Sequence, residues 1–213
     1  MTELAEILER AARGGFPPPD GGTTVIGQPD RRDAGVLAFS AHSVVFTDED
    51  PRWVRRTLAG VDCDTLAAAM NPWFLTALMA RTGRAMHTID LLTVADALPG
   101  PPELELREIE DPGHPRVARA LKFRDDVRVW ASEGGGVLVL GRGVAGRWEA
   151  AIEVGEGSRG RGLGRALAVA ARHLVPDGDV VWAQQAPGNA RSVRAFQAAG
   201  YRPVGSEALL VAH

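Results

Sequence analysis

Apolar residues at Leu4, Ile7, Leu8 and Ala11 recur at the three- and four-residue spacing of one helix face, and Thr2 stands where a cap belongs. A helix is predicted there, stopped by Gly14-Gly15. The run Phe16-Pro17-Pro18-Pro19-Asp20-Gly21-Gly22 that follows admits no regular structure. The pattern then changes to short blocks rich in β-formers, Thr23 to Ile26, Val36 to Ser40 and Ser43 to Thr47. These read as strands, the last two as a hairpin. Asp50-Pro51 and Asn71-Pro72 each set a capping side chain before a proline at the first helical position, and Gly60 and Gly83 close the two helices. Thr88 to Val94 reads as a further strand.

Leu98-Pro99-Gly100-Pro101-Pro102 is the predicted boundary, because successive prolines hold the chain extended and exclude helix or central strand. It divides the chain into residues 1–100 and 101–213. Beyond it the pattern predicts strand 103–108, helix 114–123, strands 126–132, 136–141 and 148–154, helix 162–175, strand 180–184, helix 189–199 and strand 206–212. Strands and helices alternate, so the fold class is α/β (α+β), a mixed central sheet flanked by helices. Both halves hold a strand pair followed by helices, an order compatible with a diverged duplication.

Composition narrows the setting. With 213 residues, 45% of them hydrophobic, the chain can bury a sizeable core without covalent staples. Its one cysteine, Cys63, excludes an internal disulfide and fits a reducing cytoplasm. The acidic start Met1-Thr2-Glu3-Leu4-Ala5-Glu6 does not match a secretion signal, and no apolar run approaches the roughly 20 residues of a membrane helix. A net charge of −3 argues against a general nucleic-acid binder, so any anion site must be local. Three arginines, interleaved with glycines, fall between Arg159 and Arg165.

Several motifs mislead. Gly141-Arg142-Gly143-Val144-Ala145-Gly146 follows an apolar strand and matches the G-x-G-x-x-G dinucleotide fingerprint, but a helix would have to open there. Instead Trp148, Ala150, Ile152 and Val154 alternate with Glu149, Ala151 and Glu153 at the period of a strand, so the segment reads as a hairpin loop. Gly155 and Gly160 hold the glycine positions of G-x-x-x-x-G-K-[ST], yet Arg161 and Gly162 replace its lysine and hydroxyl. Ser158 lacks one glycine of a nucleophile elbow, where Glu156 stands. His42, His87, His114, His173 and His213 are scattered, with no i, i+4 pair, so no metal site is expected. His173, in the last turn of its helix, reads as a partner of the helix dipole.

What is left is strand 148–154, a turn, the loop Arg159-Gly160-Arg161-Gly162-Leu163-Gly164-Arg165, and a helix with Leu163, Leu167, Ala170, Ala171 and Leu174 on one face. Glycines at 160, 162 and 164 let the backbone approach an anion, and the unpaired amides of the helix start point at it. Arg159, Arg161 and Arg165 supply charge around it. A pyrophosphate fits that description.

This strand, loop and helix resemble the GNAT superfamily of N-acetyltransferases, whose [Arg/Gln]-x-x-Gly-x-[Gly/Ala] loop binds the pyrophosphate of acetyl-CoA. Arg159 to Gly164 fits at every specified position. A second family signature is matched by Val180-Val181-Trp182-Ala183-Gln184, by Asn189-Ala190-Arg191-Ser192-Val193-Arg194-Ala195-Phe196 and by Ala199-Gly200-Tyr201. Asn189 and Gly200 also make local sense as a helix cap and a helix stop. The resemblance covers about residues 103–213. It leaves residues 1–100 as either a degenerate second copy of the fold or an addition that shapes an acceptor pocket or an oligomer interface such as a homodimer's.

The resemblance implies an N-acyltransferase that moves an acetyl group from acetyl-CoA to a primary amine by direct attack in a ternary complex, without metal, membrane or nucleic acid. Strand 148–154 would splay from strand 180–184, and the pantetheine arm would bond the main chain of Ile152, Glu153 and Val154. Coenzyme contacts are expected from Ile152, Val154, Arg159, Gly160, Arg161, Gly162, Leu163, Gly164, Arg165, Asn189 and Phe196. Glu149 and Glu153 share a face if the strand is regular and are the expected catalytic carboxylates, Glu149 taking the amine proton through water. Many relatives carry a tyrosine acid where this chain has Phe196, so Tyr201, Ser192 or water would have to substitute. That departure keeps open an alternative, a catalytically silent acyl-CoA-binding or regulatory protein.

Overall fold

The computed structural model describes residues 1–212; His213, one of the five histidines weighed above, lies outside the described residues. The fold is mixed α/β and divides into two compact units, residues 1–91 with the chain end from Val204, and Leu92–Pro203. The division differs from the boundary expected at 98–102. That proline run is tied into the second unit, where the Ala97 amide donates to the Asp179 carbonyl at 3.0 Å and the Leu98 amide to Arg172 at 2.8 Å.

In the first unit, α1 (Glu3–Ala12) begins where the Thr2 hydroxyl accepts from the Ala5 amide at 3.3 Å, and it buries Leu4, Ile7, Leu8 and Ala11 as the stripe predicts. Then come β1 (Thr23–Ile26), β2 (Asp33–Phe39) and β3 (His42–Phe46), the last two forming the expected antiparallel hairpin. Asp50 and Asn71 cap α2 (Pro51–Ala59) and α4 (Pro72–Thr82). Between these lies α3 (Thr65–Ala68), too short to leave a periodic trace in the sequence. β4 (Ala85–Asp96) carries the chain past Leu91 into the second unit.

The second unit contains β5 (Arg107–Glu108), α5 (Pro115–Phe123), β6 (Asp125–Ser132), β7 (Gly136–Arg142), β8 (Trp148–Val154), α6 (Leu163–His173), β9 (Val180–Gln185) and α7 (Ala190–Ala198). The expected strand 103–108 shrinks to two residues, because Leu104 and Leu106 pack against the core as irregular chain. β10 (Arg202–Val211) ends the fold, pairing antiparallel with β2 from Ser206 opposite Ala38 to Val211 opposite Asp33. The core of the first unit gathers Val36, Val45, Phe74, Leu75, Leu78 and Leu210.

Alternation along β7 separates the faces of the second unit's sheet. Leu138 and Leu140 pack with Leu167, Ala168 and Ala171 of α6 and Phe196 of α7, whereas Val139 packs with Val129 and with Val117 and Ala120 of α5. Full burial of a side chain such as Leu167 contributes about 1.5–3 kcal/mol, which fixes the start of α6 against the sheet. Among the described residues no helix is long and apolar enough to cross a membrane.

Candidate functional site

β8 and β9 run parallel but pair only at Trp148 with Val181 and Glu149 with Trp182. On its other side β8 stays in register with β7 along its whole length, from Arg142 opposite Trp148 to Gly136 opposite Val154. β9 is held from the other direction, where the Thr93 hydroxyl donates to the Ala183 carbonyl at 3.0 Å and accepts from the Gln185 amide at 3.1 Å. The two strands therefore part after Glu149, and from Ala150 onward β8 turns a backbone edge without a strand partner toward the gap. Buried amide and carbonyl groups need partners, so such an edge is a template for another extended chain. The gap opens at the carboxyl ends of parallel strands, where α/β sheets bind their ligands.

The loop after β8 lies at that open end. The Gly155 amide donates to the Gly135 carbonyl at 3.0 Å, and one tight turn follows, from Glu156 to Ser158. Arg159 reaches back to donate to the Val154 carbonyl at 3.3 Å. Gly160 (φ +79°) and Gly162 (φ +86°) take left-handed conformations that side chains disfavour, and the Cβ position at each is open space. Gly162 begins α6 without any capping side chain. Among the described residues the other six α-helices are capped, by Thr2, Asp50, Asp64, Asn71, His114 and Asn189. The first-turn amides of Leu163, Gly164 and Arg165 thus face outward with no intrahelical acceptor. Arg161 and Arg165 are exposed and form no ion pair among the described residues. A Cβ at Gly164 would lie 3.7 Å from Val154 and Ala195 and 3.8 Å from Ile152, so the start of α6, the end of β8 and α7 converge.

Of the remaining expected coenzyme residues, Asn189 caps α7 by accepting from the Ser192 amide at 3.2 Å. Phe196 is a core side chain, packed edge-on against Tyr201 with ring centroids 4.8 Å apart. Tyr201 donates its hydroxyl to the Ala168 carbonyl at 3.2 Å, and burial pushes its pKa up. It is a structural hydroxyl, not a free proton donor. His173 closes α6 by donating Nδ1–H toward the Pro99 and Gly100 carbonyls, at 3.1 and 3.0 Å.

The two carboxylates of β8 share a face, as a strand without a bulge requires, but their surroundings differ. Glu149 is buried at the last rung that joins β8 to β9. It accepts from Arg124 at 2.9 Å, from Arg147 at 2.8 Å and from the Val144 amide at 3.2 Å. Burial alone would raise its pKa, but the charges and hydrogen bonds of Arg147 and Arg124 outweigh burial and hold it at about 2. A carboxylate so held is too weak a base for proton abstraction near neutrality, which argues against the role expected for Glu149. Glu153, further toward the open end, is 44% exposed and pairs with Arg116 Nε at 3.0 Å.

Arg116, Arg124, Arg147, Thr93 and Gln185 were not legible as site residues. Gly143 leaves no room for a Cβ because the Glu149 carboxylate occupies that place. The segment Gly141 to Gly146, with the dinucleotide spacing, is the end of β7 and the turn that leads into antiparallel β8. Among the described residues no group of three or more His, Cys, Asp or Glu could hold a metal ion.

No protein-family profile and no curated protein sequence matches this chain. Solved structures resemble it at low identity. A GCN5-related N-acetyltransferase from Kribbella flavida is 16% identical over 98% of this chain and 93% of its own, with a TM-score of 0.45. Another from Sphaerobacter thermophilus is 15% identical over 64% of this chain and 55% of its own, at 0.39. A tandem GNAT protein from the clavulanic acid biosynthesis pathway is 15% identical over 64% of this chain and 57% of its own, at 0.41.

Proposed function

We propose that the chain is an acyl-CoA-dependent N-acyltransferase of the GNAT kind, transferring an acetyl group from acetyl-CoA to a primary amine. The observation that carries this reading is the opening of α6: among the described residues the one α-helix without a capping side chain, preceded by left-handed glycines and exposed arginines, at the open end of a gap between parallel strands. Outward amides, the helix dipole and guanidinium groups together suit a pyrophosphate. Arg159, Gly160, Arg161, Gly162, Leu163, Gly164 and Arg165 would hold it, and the free edge of Ile152 to Val154 would bond an extended arm as an added strand.

The thioester supplies the activated acyl group, and this chain's residues align an amine with it. Holding two reactants in the right geometry supplies about 7–11 kcal/mol of barrier reduction, more than one general base adds. In this reading Glu153, half-exposed beside the free edge, receives the amine proton directly or through water. Glu149 is an internal counter-ion that stiffens the closed end. Ser192, in the first turn of α7, or water supplies the proton for the departing thiolate.

Phe196 in the core and the committed Tyr201 hydroxyl favour a second reading, a coenzyme-binding protein without turnover. Thiol release from acetyl-CoA with a panel of primary amines separates the two. Amine-dependent release at a saturating rate is expected; stabilisation by acetyl-CoA with no release under any amine would favour the silent binder.

A further inference from the structure

We infer that the acceptor is an amino-acid-like zwitterion, an amine with a carboxylate on a neighbouring carbon, and that Arg116 selects it; this rests on the acyl-transfer reading above. The two carboxylates on one face of β8 differ in what they leave open. Glu149 is sealed among its partners and offers nothing to a ligand. Glu153 and Arg116 are 44% and 36% exposed and meet through one contact, Oε2 with Nε at 3.0 Å. Glu153 Oε1 and the two Nη groups of Arg116 have no partner among the described residues. An ion pair this exposed adds little stability, so its members can be redirected at small cost. An anionic acceptor atom and a planar fork of N–H donors therefore stand side by side, next to the free edge of β8. That is the complement of a zwitterion: the ammonium meets Glu153, and the carboxylate meets the Arg116 fork, whose geometry suits bidentate binding.

Arg116 is held for this task. It is the second residue of α5, its amide donates to His114 Nδ1 at 3.2 Å, and Pro115 fixes the helix start. Val117 and Ala120, buried against β6 and β7, anchor the same turn to the sheet. The guanidinium thus projects from a fixed backbone, and Glu153 from a strand fixed in register with β7. With the ammonium bound, Glu153 is also placed to accept the proton that turns it into the neutral nucleophile.

The test is steady-state acetylation by the full chain of a set of L-amino acids and of the amine obtained from each by removing its carboxylate, with wild type, Arg116→Gln and Arg116→Lys. In the same samples, thermal shift with coenzyme A reports donor binding. Wild type should show a KM for amino acids at least about 10-fold below that for the matching amines. Arg116→Gln should erase this difference by raising KM for amino acids alone, with kcat and the KM for acetyl-CoA little changed, and Arg116→Lys should restore part of it. Equal use of both classes, an equal loss for both in Arg116→Gln, or coenzyme stabilisation with no amino acid accepted would overturn the inference. Absence of coenzyme stabilisation together with absence of thiol release would instead overturn the acyl-transfer reading on which it rests.

Discussion

Two loops of almost the same composition stand at the two ends of β8. The earlier, Gly141 to Arg147, and the later, Arg159 to Arg165, both interleave glycine with arginine, and both carry spacings that phosphate-binding loops use. In the earlier loop the donors are already engaged. Arg147 and the Val144 amide bind the Glu149 carboxylate, Arg142 lies over the Trp148 ring with its guanidinium 3.8 Å from the ring centre, and Gly143 makes room for Glu149. This loop has folded around an anion of its own chain. In the later loop Arg159 makes only an exposed ion pair with Glu156 at 3.6 Å, and Arg161 and Arg165 meet no internal anion among the described residues. Its glycines open the backbone, its helix start lacks a cap, and Arg161 and Arg165 point outward. What separates a structural loop from a ligand site is whether the donors find a partner within the fold.

The largest effect is expected in the earlier loop. Glu149→Ala leaves Arg124 and Arg147 buried without their carboxylate and should cost about 3–5 kcal/mol in urea unfolding, while coenzyme affinity of the folded fraction holds. Unchanged stability would mean that Glu149 is not the internal counter-ion.

Acid sharpens the same point. Because the folded pKa of Glu149, about 2, lies below its ordinary 4.5, its contribution is fully present above pH 4.5 and is lost as pH falls from there toward 2. A shift of that size corresponds to about 3 kcal/mol. Unfolding midpoints measured across this window should fall, and Glu149→Gln should flatten the fall. An equally steep acid limb in that variant would assign it to other carboxylates.

The later loop should respond in binding. Gly162→Glu sets bulk and negative charge where the anion approaches and should weaken coenzyme A about 100-fold or more by calorimetry, about 2.7 kcal/mol. Gly162→Ala carries the same left-handed backbone strain without the charge, so it should share the stability loss and retain most of the affinity. Equal affinities for the two variants would reduce the loop to a flexible turn.

Much of this contrast was legible in the sequence where it depends on neighbours in the chain. Helix starts at Thr2, Asp50, Asn71 and Asn189 follow from a capping side chain beside a periodic stripe. The alternation of 148–154 gave a strand and made the dinucleotide motif before it a turn. Features built by distant segments were hidden. Glu149 is neutralised by Arg124, 25 residues earlier, and a period-two pattern does not distinguish a solvated carboxylate from one buried beside two arginines. The placement of β10 beside β2 depends on a long-range register that no local signal encodes. The gap between β8 and β9 likewise arises from what holds each strand on its far side.

Whether the Arg159–Arg165 loop binds a pyrophosphate can be read from calorimetric titration with coenzyme A and with pantetheine, which lacks that group. Coenzyme A should bind about 100-fold more tightly than pantetheine at low salt, and the difference should narrow as salt rises and vanish in Gly162→Glu. Equal affinities for the two ligands in the wild-type chain, or no binding of coenzyme A, would mean that the loop is not a pyrophosphate site.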